Sequence, residues 1–451
     1  MLEETLKKII KAYDIRGEIP EELNPDVAFE LGKRFAYHFK PELVVIGNDM
    51  RETSEEIKQG FINGLVDYGI DVIDIGLVST PMLNWGAWHL KASHGVMVTA
   101  SHSPLNYNGI KLVDVENGQI YKENGLTNLL KKGGEPSGAV GSVTERNTAD
   151  DYLSYLGKHI EDLHGKFVFD TMHGANGLVL KEAFDKSDVE AEYISFEVDG
   201  QVPDYQSPNP LIEANQEKIK KAIREKGFEA GLMYDGDADR LIVFDDKARY
   251  VSANFVAYLI IEYLLEANPG RAIVFDLRSS NMIRDLAAHK KAKYFDTIAG
   301  NPYVKEKMRE EKAIFGGETS GHYFYEETNY AEDAIVTSVY FIKALKAKGK
   351  KLSEIIDDLN KKYFMIPETN FRIADYKPVF KELEEIYKSS DIHFLDGITI
   401  EAEGFRANLR TSNTEPLIRL NLEARGQEEL TNRLKEIKGV IKANGGVRAD
   451  H

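Results

Sequence analysis

Six short runs of β-branched and aromatic residues recur along the chain, and each ends in a polar or glycine-bearing turn: LVVIGND from Leu43, GVMVTASH from Gly95, KFVFDTMHG from Lys166, AGLMYDGDADR from Ala230, AIVFDLRSS from Ala272 and AIFGGETSGH from Ala313. Near-continuous apolar runs of this length predict strands buried on both faces, as in parallel sheets. Between them lie amphipathic stretches such as SEEIKQGFINGLVDYG and NQEKIKKAIREKG, and the alternation predicts α/β units. In open α/β sheets ligands gather beyond the carboxyl ends of the strands, which is where the unusual residues of this chain lie.

A chain of 451 residues exceeds what one hydrophobic core supports, which predicts several domains with a ligand cleft between them. Three stretches read as joints. Residues 131–151 (KKGGEPSGAVGSVTERNTADD) are rich in glycine and polar residues, residues 245–252 follow the strand after DGDADR, and residues 363–369 are interrupted by Pro367. The expected units are therefore 1–146, 147–248, 249–364 and 365–451. The shared strand-loop order of the first three predicts structural copies, although no short repeat marks their sequences. The last reads as a smaller α+β unit, with strands around ITIEAE, RANLRTS and PLIRLNLEA and a closing helix in EELTNRLKEIKGVIKA.

Composition removes whole classes of function. No run of about 18 apolar residues is present, and the N-terminal MLEETLKKIIKAYDIRG lacks an apolar core followed by a small-residue cleavage site, so neither a membrane span nor export is expected. Zero cysteines exclude disulfides, thiolate metal sites and cysteine nucleophiles, in keeping with a cytoplasmic enzyme whose chemistry uses oxygen and nitrogen. A formal charge of −17 argues against a nucleic-acid partner, and local cations must reverse the global field around any anionic substrate.

The most specific single motif is DGDADR, after the apolar strand end GLMY. Asp235, Asp237 and Asp239 repel one another and desolvate badly, so gathering them at a strand terminus calls for a hard cation such as magnesium; a solvated acidic turn is the alternative. The calcium loop of an EF-hand does not fit, because Arg240 stands where that loop needs its turning glycine and Asp246 where it needs its final glutamate. Arg240 beside the aspartates suits a phosphate shared between cation and metal. In TASHSPLNYNGIK, residues 99–111, Ser101 beside His102 has three readings: activated nucleophile, turn-former or helix cap. The G-x-S-x-G elbow of a hydrolase is absent.

GGETSGH, residues 316–322, carries Glu318, Ser320 and His322 on a glycine-bearing loop, groups of the kind that bind sugar hydroxyls. RTSNTEPLIR, residues 410–419, sets Arg410 and Arg419 around small hydroxyl and amide donors, a mixture that either grips a phosphate or forms an exposed turn. KAYDIRG adds Arg16 beside Asp14, and DLRSS adds Arg278 at another strand end; lone arginines of this kind ordinarily solvate a surface. No P-loop or dinucleotide fingerprint appears.

Taken in order, KAYDIRG, TASHSP…NGIK, DGDADR, GETSGH and RTSNTEP resemble the motifs of the α-D-phosphohexomutase superfamily over nearly the whole chain, and look most like its bacterial and archaeal phosphomannomutase/phosphoglucomutase branch. The resemblance implies four domains around a central cleft, three related α/β domains with mixed or parallel sheets and a C-terminal α+β domain similar to the TATA-binding-protein fold. It implies that Ser101 is the phosphorylated serine, and that Asp235, Asp237 and Asp239 hold Mg2+ together with a phosphate oxygen on Ser101. His102, Arg16, Lys111 and Arg240 would surround the transferring group, and a general acid and base are sought among Lys111, Arg16 and His322. Glu318 and Ser320 would bind sugar hydroxyls, with His322 and Arg278 nearby. Arg410, Ser412, Asn413 and Thr414 would grip the phosphate that is not reacting, supported by Arg419. The implied reaction interconverts hexose 1-phosphate and hexose 6-phosphate, of mannose or glucose, through a hexose 1,6-bisphosphate that also serves as activator. The implied partner is a phosphosugar, with no nucleic acid and no membrane, and the enzyme is a monomer or homodimer.

Some positions depart from the pattern. Ser103 replaces an asparagine common after the Ser-His pair, and Thr411 replaces alanine or proline. Ala238 replaces the usual glycine of the metal loop, a change expected to be tolerated where the backbone φ is negative. Asn301 and Pro302 stand where relatives often carry other polar residues that contribute to substrate choice. Thr319 stands where phosphoglucosamine mutases usually have glutamine, which favours mannose and glucose. Phosphoglucosamine mutase is the alternative within the class, and a serine-dependent sugar-phosphate phosphatase the alternative outside it.

Overall fold

The leading apolar run becomes the strand Leu43–Asn48, flanked in parallel by Asp71–Leu77 and His94–Val98 in a computed structural model that describes residues 2–135, 138–411 and 416–449. His94–Val98 then pairs antiparallel with Tyr107–Asp114, which returns along it. A second sheet repeats this order, with His164–Asp170 between Asp188–Ile194 and Ala230–Tyr234, and Leu241–Asp245 returning. A third repeats it again, with Ala272–Asp276 between Lys293–Thr297 and Phe315–Gly317, and Tyr323–Tyr325 returning. Three copies of one mixed sheet result, as the shared strand-loop order implied.

Parallel neighbours need a crossover, and helices supply it: Ser54–Asp67 and Thr80–His89 in the first domain, Asn281–His289 and Asn301–Glu311 in the third. Their starts are set locally. Ser79 Oγ accepts from Met82 N, Ser280 Oγ from Met282 N, and Asp333 Oδ1 from Ile335 N and Val336 N at the head of Ala334–Lys348. That helix and Ala253–Ala267 are largely buried, and one hydrophobic cluster runs from Trp85 and Tyr152 through Phe169 and Tyr234 to Phe275 and Phe315, joining three domains. Inside the stretch read as the first joint, Val143–Glu145 forms an edge strand parallel to Asp71–Leu77, so the first sheet reaches into it.

The fourth domain keeps a separate core around Leu383, Ile398, Leu409, Leu420 and Ile437. Its sheet is antiparallel through Asp391–His393, Ile398–Ala402, Phe405–Thr411, Leu417–Ala424, Thr369–Arg372 and Val447–Ala449, and the helices Lys377–Ile386 and Gln427–Ala443 pack into the same core. Its contacts with the third domain include polar ones: Arg406 Nη1 donates to Leu277 O at 2.5 Å, Asn281 N to the Glu423 carboxylate at 3.1 Å, and Arg425 pairs with Asp285 at 2.6 Å. Among the described residues no helix is long and apolar enough to cross a membrane.

Candidate active site

At the end of its central strand, or one residue past it, each of the first three domains carries a fully buried aspartate, Asp49, Asp170 or Asp276. Each accepts the backbone N–H two residues on, from Arg51 at 3.1 Å, Met172 at 2.9 Å and Arg278 at 2.8 Å, which turns the chain off the sheet. In the first and third domains the same carboxylate also reaches the loop after the adjacent parallel strand: Thr99 Oγ1 donates to Asp49 Oδ2 at 2.6 Å, and Thr319 N to Asp276 Oδ2 at 2.9 Å. In the second, Tyr205 OH takes that place at 2.7 Å, and Ala175 N ties the loop by donating to Gly236 O at 3.1 Å. TASHSP, DGDADR and GETSGH thus occupy one topological position in three sheets, at the carboxyl ends of parallel strands.

The three loops converge. Ser101 is 3% exposed and has a φ of 50°, a left-handed conformation uncommon for serine, with its N–H donating to Thr99 Oγ1 at 2.8 Å. Its Oγ donates to Asp235 Oδ2 at 2.7 Å and lies 3.0 Å from His102 Nδ1. The loops can approach this closely because of Gly236, where a Cβ would stand 2.9 Å from Ser101 O. Asp235, Asp237 and Asp239 are buried and each brings an oxygen within 4.8 Å of the others. Lys111, on the returning strand of the first domain, bridges Asp237 Oδ2 at 2.5 Å and Asp239 Oδ2 at 2.6 Å. Arg240 N donates to Asp235 Oδ1 at 3.1 Å, and His322 sits between Asp239 Oδ1 at 3.3 Å and Glu318 Oε2 at 2.9 Å. Arg16 donates to Ser103 Oγ and to Asp14 Oδ2, both at 2.6 Å, so the serine at position 103 ties Arg16 to the serine loop. Asp237 Oδ1 is buried with no hydrogen-bond partner among the described residues, and three convergent carboxylate oxygens form a donor set that fits a hard divalent cation.

Charge divides across this cluster. Burial, then Asp239 and Asp237, push Asp235 well above the usual carboxylate range. Burial acts the same way on Asp239, but Lys111 and His322 outweigh it and leave that carboxyl well below the usual range. Burial opposes charge on Lys111 too, and Asp237 and Asp239 overcome it, so the ammonium is held protonated. His322 is pushed up to about 9, because Asp239 outweighs burial. With carboxylates at both ring nitrogens it is an imidazolium, and the 3.3 Å approach of Arg240 Nε to its Nε2 is a like-charge contact, not a hydrogen bond. His102 lies well below its ordinary value through burial, Arg240 and Arg16, and is a neutral imidazole beside the serine.

The condition set for Ala238 is not met. Its φ is 61°, not negative: Ala238 N donates to Asp235 O at 3.0 Å in a tight turn, and the residue is wholly buried in the core shared by three domains. A left-handed alanine costs about 1 kcal/mol, and burying its methyl returns about 0.8 kcal/mol.

In the third loop, Ser320 Oγ lies 3.0 Å from His322 Nδ1, and Arg278 pairs with Asp276 at 2.8 Å and reaches within 3.9 Å of Glu318. Thr319 Oγ1 turns back toward Asp276 at 3.4 Å. Asn301 Nδ2 lies 3.4 Å from Glu332 Oε1, and Pro302 is buried in the first turn of its helix. Arg278, Thr319 and Ser320 front a cleft of about 570 Å³ that the fourth domain closes with Glu368, Arg406 and Asn421. Arg410 and Arg419 stand directly opposite each other on neighbouring strands of that domain, with Thr411 opposite Ile418. Ser412, Asn413 and Thr414 lie outside the described residues.

Arg51 was not singled out from the sequence. Its guanidinium donates to four carbonyls of the serine loop, Ser101 O at 2.8 Å, Ser103 O at 2.7 Å, and Pro104 O and Tyr107 O at 2.9 Å, with Asp49 Oδ2 3.4 Å from Nε. The available signal was the shared Asp-x-Arg of NDMR and FDLR after apolar strands. Thr80 was missed as well; its Oγ1 donates to Asp237 Oδ2 at 2.6 Å.

Models of the phosphoglucomutase/phosphomannomutase family match the chain in four segments: alpha/beta/alpha domain I over residues 7–135, domain II over 150–248, domain III over 252–363 and the C-terminal domain over 368–439. A phosphomannomutase of Escherichia coli is 33% identical over 451 residues, covering 96% of this chain and 98% of that protein. One of Methanocaldococcus jannaschii is 33% identical over 445 residues, covering 96% and 97%. Among solved structures, a phosphoglucomutase/phosphomannomutase family protein of Burkholderia thailandensis matches with a TM-score of 0.88 at 25% identity, covering 98% of this chain and 99% of that one. The N-acetylphosphoglucosamine mutase of Aspergillus fumigatus, solved in complex with GlcNAc-6P and magnesium, shares the fold with a TM-score of 0.61 at 13% identity, covering 98% of each chain.

Proposed function

The chain belongs to the phosphoglucomutase/phosphomannomutase family of phosphosugar mutases, and from that premise we propose that it interconverts the 1-phosphates and 6-phosphates of mannose or glucose through phospho-Ser101 and a hexose 1,6-bisphosphate. The observation that carries this reading is Ser101 Oγ at 2.7 Å from Asp235 Oδ2, within a cluster that also gathers Asp237, Asp239, Lys111 and Arg240. Phosphoryl transfer asks for little covalent chemistry from a protein, so positioning and charge around the equatorial oxygens supply most of the rate. The reaction suits a cytoplasmic enzyme.

Asp235, Asp237 and Asp239 would hold Mg2+, which when bound neutralises charge on the phosphoryl oxygens. The chain's own residues account for the remaining tasks. In one half-reaction a sugar hydroxyl attacks the phosphorus on Ser101 and gives its proton to a base, while the bond from phosphorus to Oγ breaks and the departing serine oxygen takes up a proton from a neighbouring acid. In the other, Ser101 Oγ attacks the second phosphate of the bisphosphate, gives up its own proton, and the departing sugar oxygen is protonated. Lys111 and His322, both held as cations, suit donation; the serine proton is directed at Asp235 Oδ2, and neutral His102, with Nδ1 3.0 Å from Oγ, is a second acceptor within reach. Arg16 and Arg240 would take the phosphoryl oxygens, Glu318 and Ser320 the sugar hydroxyls, and Arg278, Arg410 and Arg419 the phosphate at rest.

Intact-mass measurement tests the reading. A fraction heavier by one phosphate, located at Ser101 and lost on incubation with hexose phosphate, is expected, and Ser101→Ala should lack both the adduct and mutase turnover. A Ser101→Ala protein with near-full activity would sink the mechanism. Parallel coupled assays with mannose, glucose and glucosamine 1-phosphates identify the sugar: exclusive glucosamine turnover overturns the sugars proposed, and phosphate released without isomer makes the enzyme a phosphatase.

A further inference from the structure

Glu368 lies in the segment joining the third and fourth domains, between the strands Phe364–Met365 and Thr369–Arg372. Its carboxylate accepts from Asn421 Nδ2 at 3.1 Å and from Arg419 Nη1 at 3.3 Å, and stands 3.8 Å from Arg410 Nη2. Those arginines are register partners on adjacent antiparallel strands, an arrangement in which like charges repel and weaken the pairing. Nε of each is buried without a hydrogen-bond partner among the described residues. A third guanidinium approaches from the other domain: burial and then the charge of Arg278 hold Arg410 below the usual guanidinium range, with Glu368 working against them. Glu368 and Arg278 both line the cleft of about 570 Å³ that holds Thr319 and Ser320. A carboxylate set against arginines on the wall of a cleft has the chemistry of a resident anion.

We propose that Glu368 is the internal counter-ion of the phosphate clamp, holding Arg410 and Arg419 together until the resting phosphate of a hexose phosphate displaces it from them. The proposal rests on the phosphosugar reading of the site. An incoming phosphate must evict a carboxylate and then share the arginines with its negative charge, so Glu368 weakens the hold on the ground state. The same repulsion helps the bisphosphate leave the clamp when it turns end for end. Glu368 is accordingly a positioning residue: it acts through the arginines and not on the reacting atoms.

Glu368→Gln keeps an acceptor for Asn421 and removes the charge; Glu368→Ala removes both. Under the proposal each neutral variant binds inorganic phosphate and glucose 1,6-bisphosphate more tightly by calorimetry, by about tenfold, the weight of one like charge taken from a short separation. The KM for glucose 1-phosphate falls with it, kcat falls because the bisphosphate is released slowly, and Glu368→Asp, which retains the charge at a shorter reach, shows a smaller gain in phosphate affinity than either neutral variant. A part needed only for structure gives the opposite sign, weaker binding and a higher KM. Weaker or unchanged phosphate affinity in the neutral variants therefore overturns the proposal, and either variant alone decides it. Phosphate binding does not depend on turnover. A parent protein that binds phosphate yet isomerises no hexose phosphate fails the functional reading, while the comparison of affinities still tests Glu368.

Discussion

Replacing Arg51 with methionine keeps much of the side chain's length but removes every donor that the serine loop uses. Four hydrogen bonds from a charged group, at about 1.5–3 kcal/mol each, sum to as much as the whole stability of an ordinary domain. The loop will yield before that sum is reached, letting water reach the carbonyls of Ser103, Pro104 and Tyr107. What relaxation cannot restore is the opposite charge beside Asp49, which keeps its bonds from Ser54 Oγ and Thr99 Oγ1 but is wholly buried and 3.4 Å from Arg51 Nε. Breaking one side of a buried pair costs about 3–5 kcal/mol, and that is the loss expected for Arg51→Met. The chain offers a direct probe, because its two tryptophans, Trp85 and Trp88, both lie on Thr80–His89 in the first domain, so their fluorescence in urea reports that domain and the core that Trp85 shares with the next two. With a slope of about 2 kcal/mol per molar, the midpoint should fall by about 2 M. Arg51→Lys keeps the charge, but one ammonium cannot serve four carbonyls, so it should fall between the two. Phosphoserine formation should drop more than the KM for hexose phosphate rises. A midpoint within about 0.5 M of the parent, or unchanged phosphorylation of Ser101, refutes the anchoring role of Arg51.

Ala238→Gly relieves about 1 kcal/mol of left-handed strain but loses a buried methyl worth about 0.8 kcal/mol and gains about 0.4–1 kcal/mol of freedom in the unfolded chain, so it should be destabilised by under about 1 kcal/mol; a clearly stabilised glycine variant contradicts this balance. Ala238→Val, β-branched at positive φ in a filled core, should lose more than about 2 kcal/mol in the same unfolding assay. Burial pushes Asp333 up to about 6, against the bond from Tyr152 OH and two backbone N–H groups. The folded state therefore holds this proton more tightly than the unfolded one, and the stability it contributes is complete below about pH 4 and lost as the pH rises to about 6, a swing of about 3 kcal/mol. Asp333→Asn should gain on the parent by that amount across this window in urea titrations, and a pH-independent difference refutes it. Chelation with EDTA should abolish hexose phosphate turnover, Mg2+ should restore it and raise the unfolding temperature, and indifference of both readouts to metal excludes the aspartate site.

The loops that carry the site were legible because each follows an apolar strand and departs from what a turn needs: three carboxylates in six residues, or a serine beside a histidine. Their convergence was not. Lys111 reaches Asp237 and Asp239 across 126 and 128 residues, a contact that spacing within one motif cannot encode. Arg51 was hidden by its type, since a single arginine past a strand reads as surface while this one is almost wholly enclosed. Glu368 is one of 74 acidic residues and has no pattern of its own; its partners arrive from strands more than forty residues downstream. The sign of φ at Ala238 is set by how the aspartate turn packs against three domains, which composition does not report.

The polar contacts between the third and fourth domains have a thermal consequence. Parting Arg425 from Asp285, Asn281 from Glu423 and Arg406 from Leu277 O hands polar groups to water, and hydrating polar groups lowers the heat capacity, whereas exposing apolar surface raises it. Motion along these contacts therefore carries less curvature with temperature than motion through the apolar core that welds the first three domains. An interface built this way keeps much the same free energy of separation on warming, and dissolved salt becomes its stronger control.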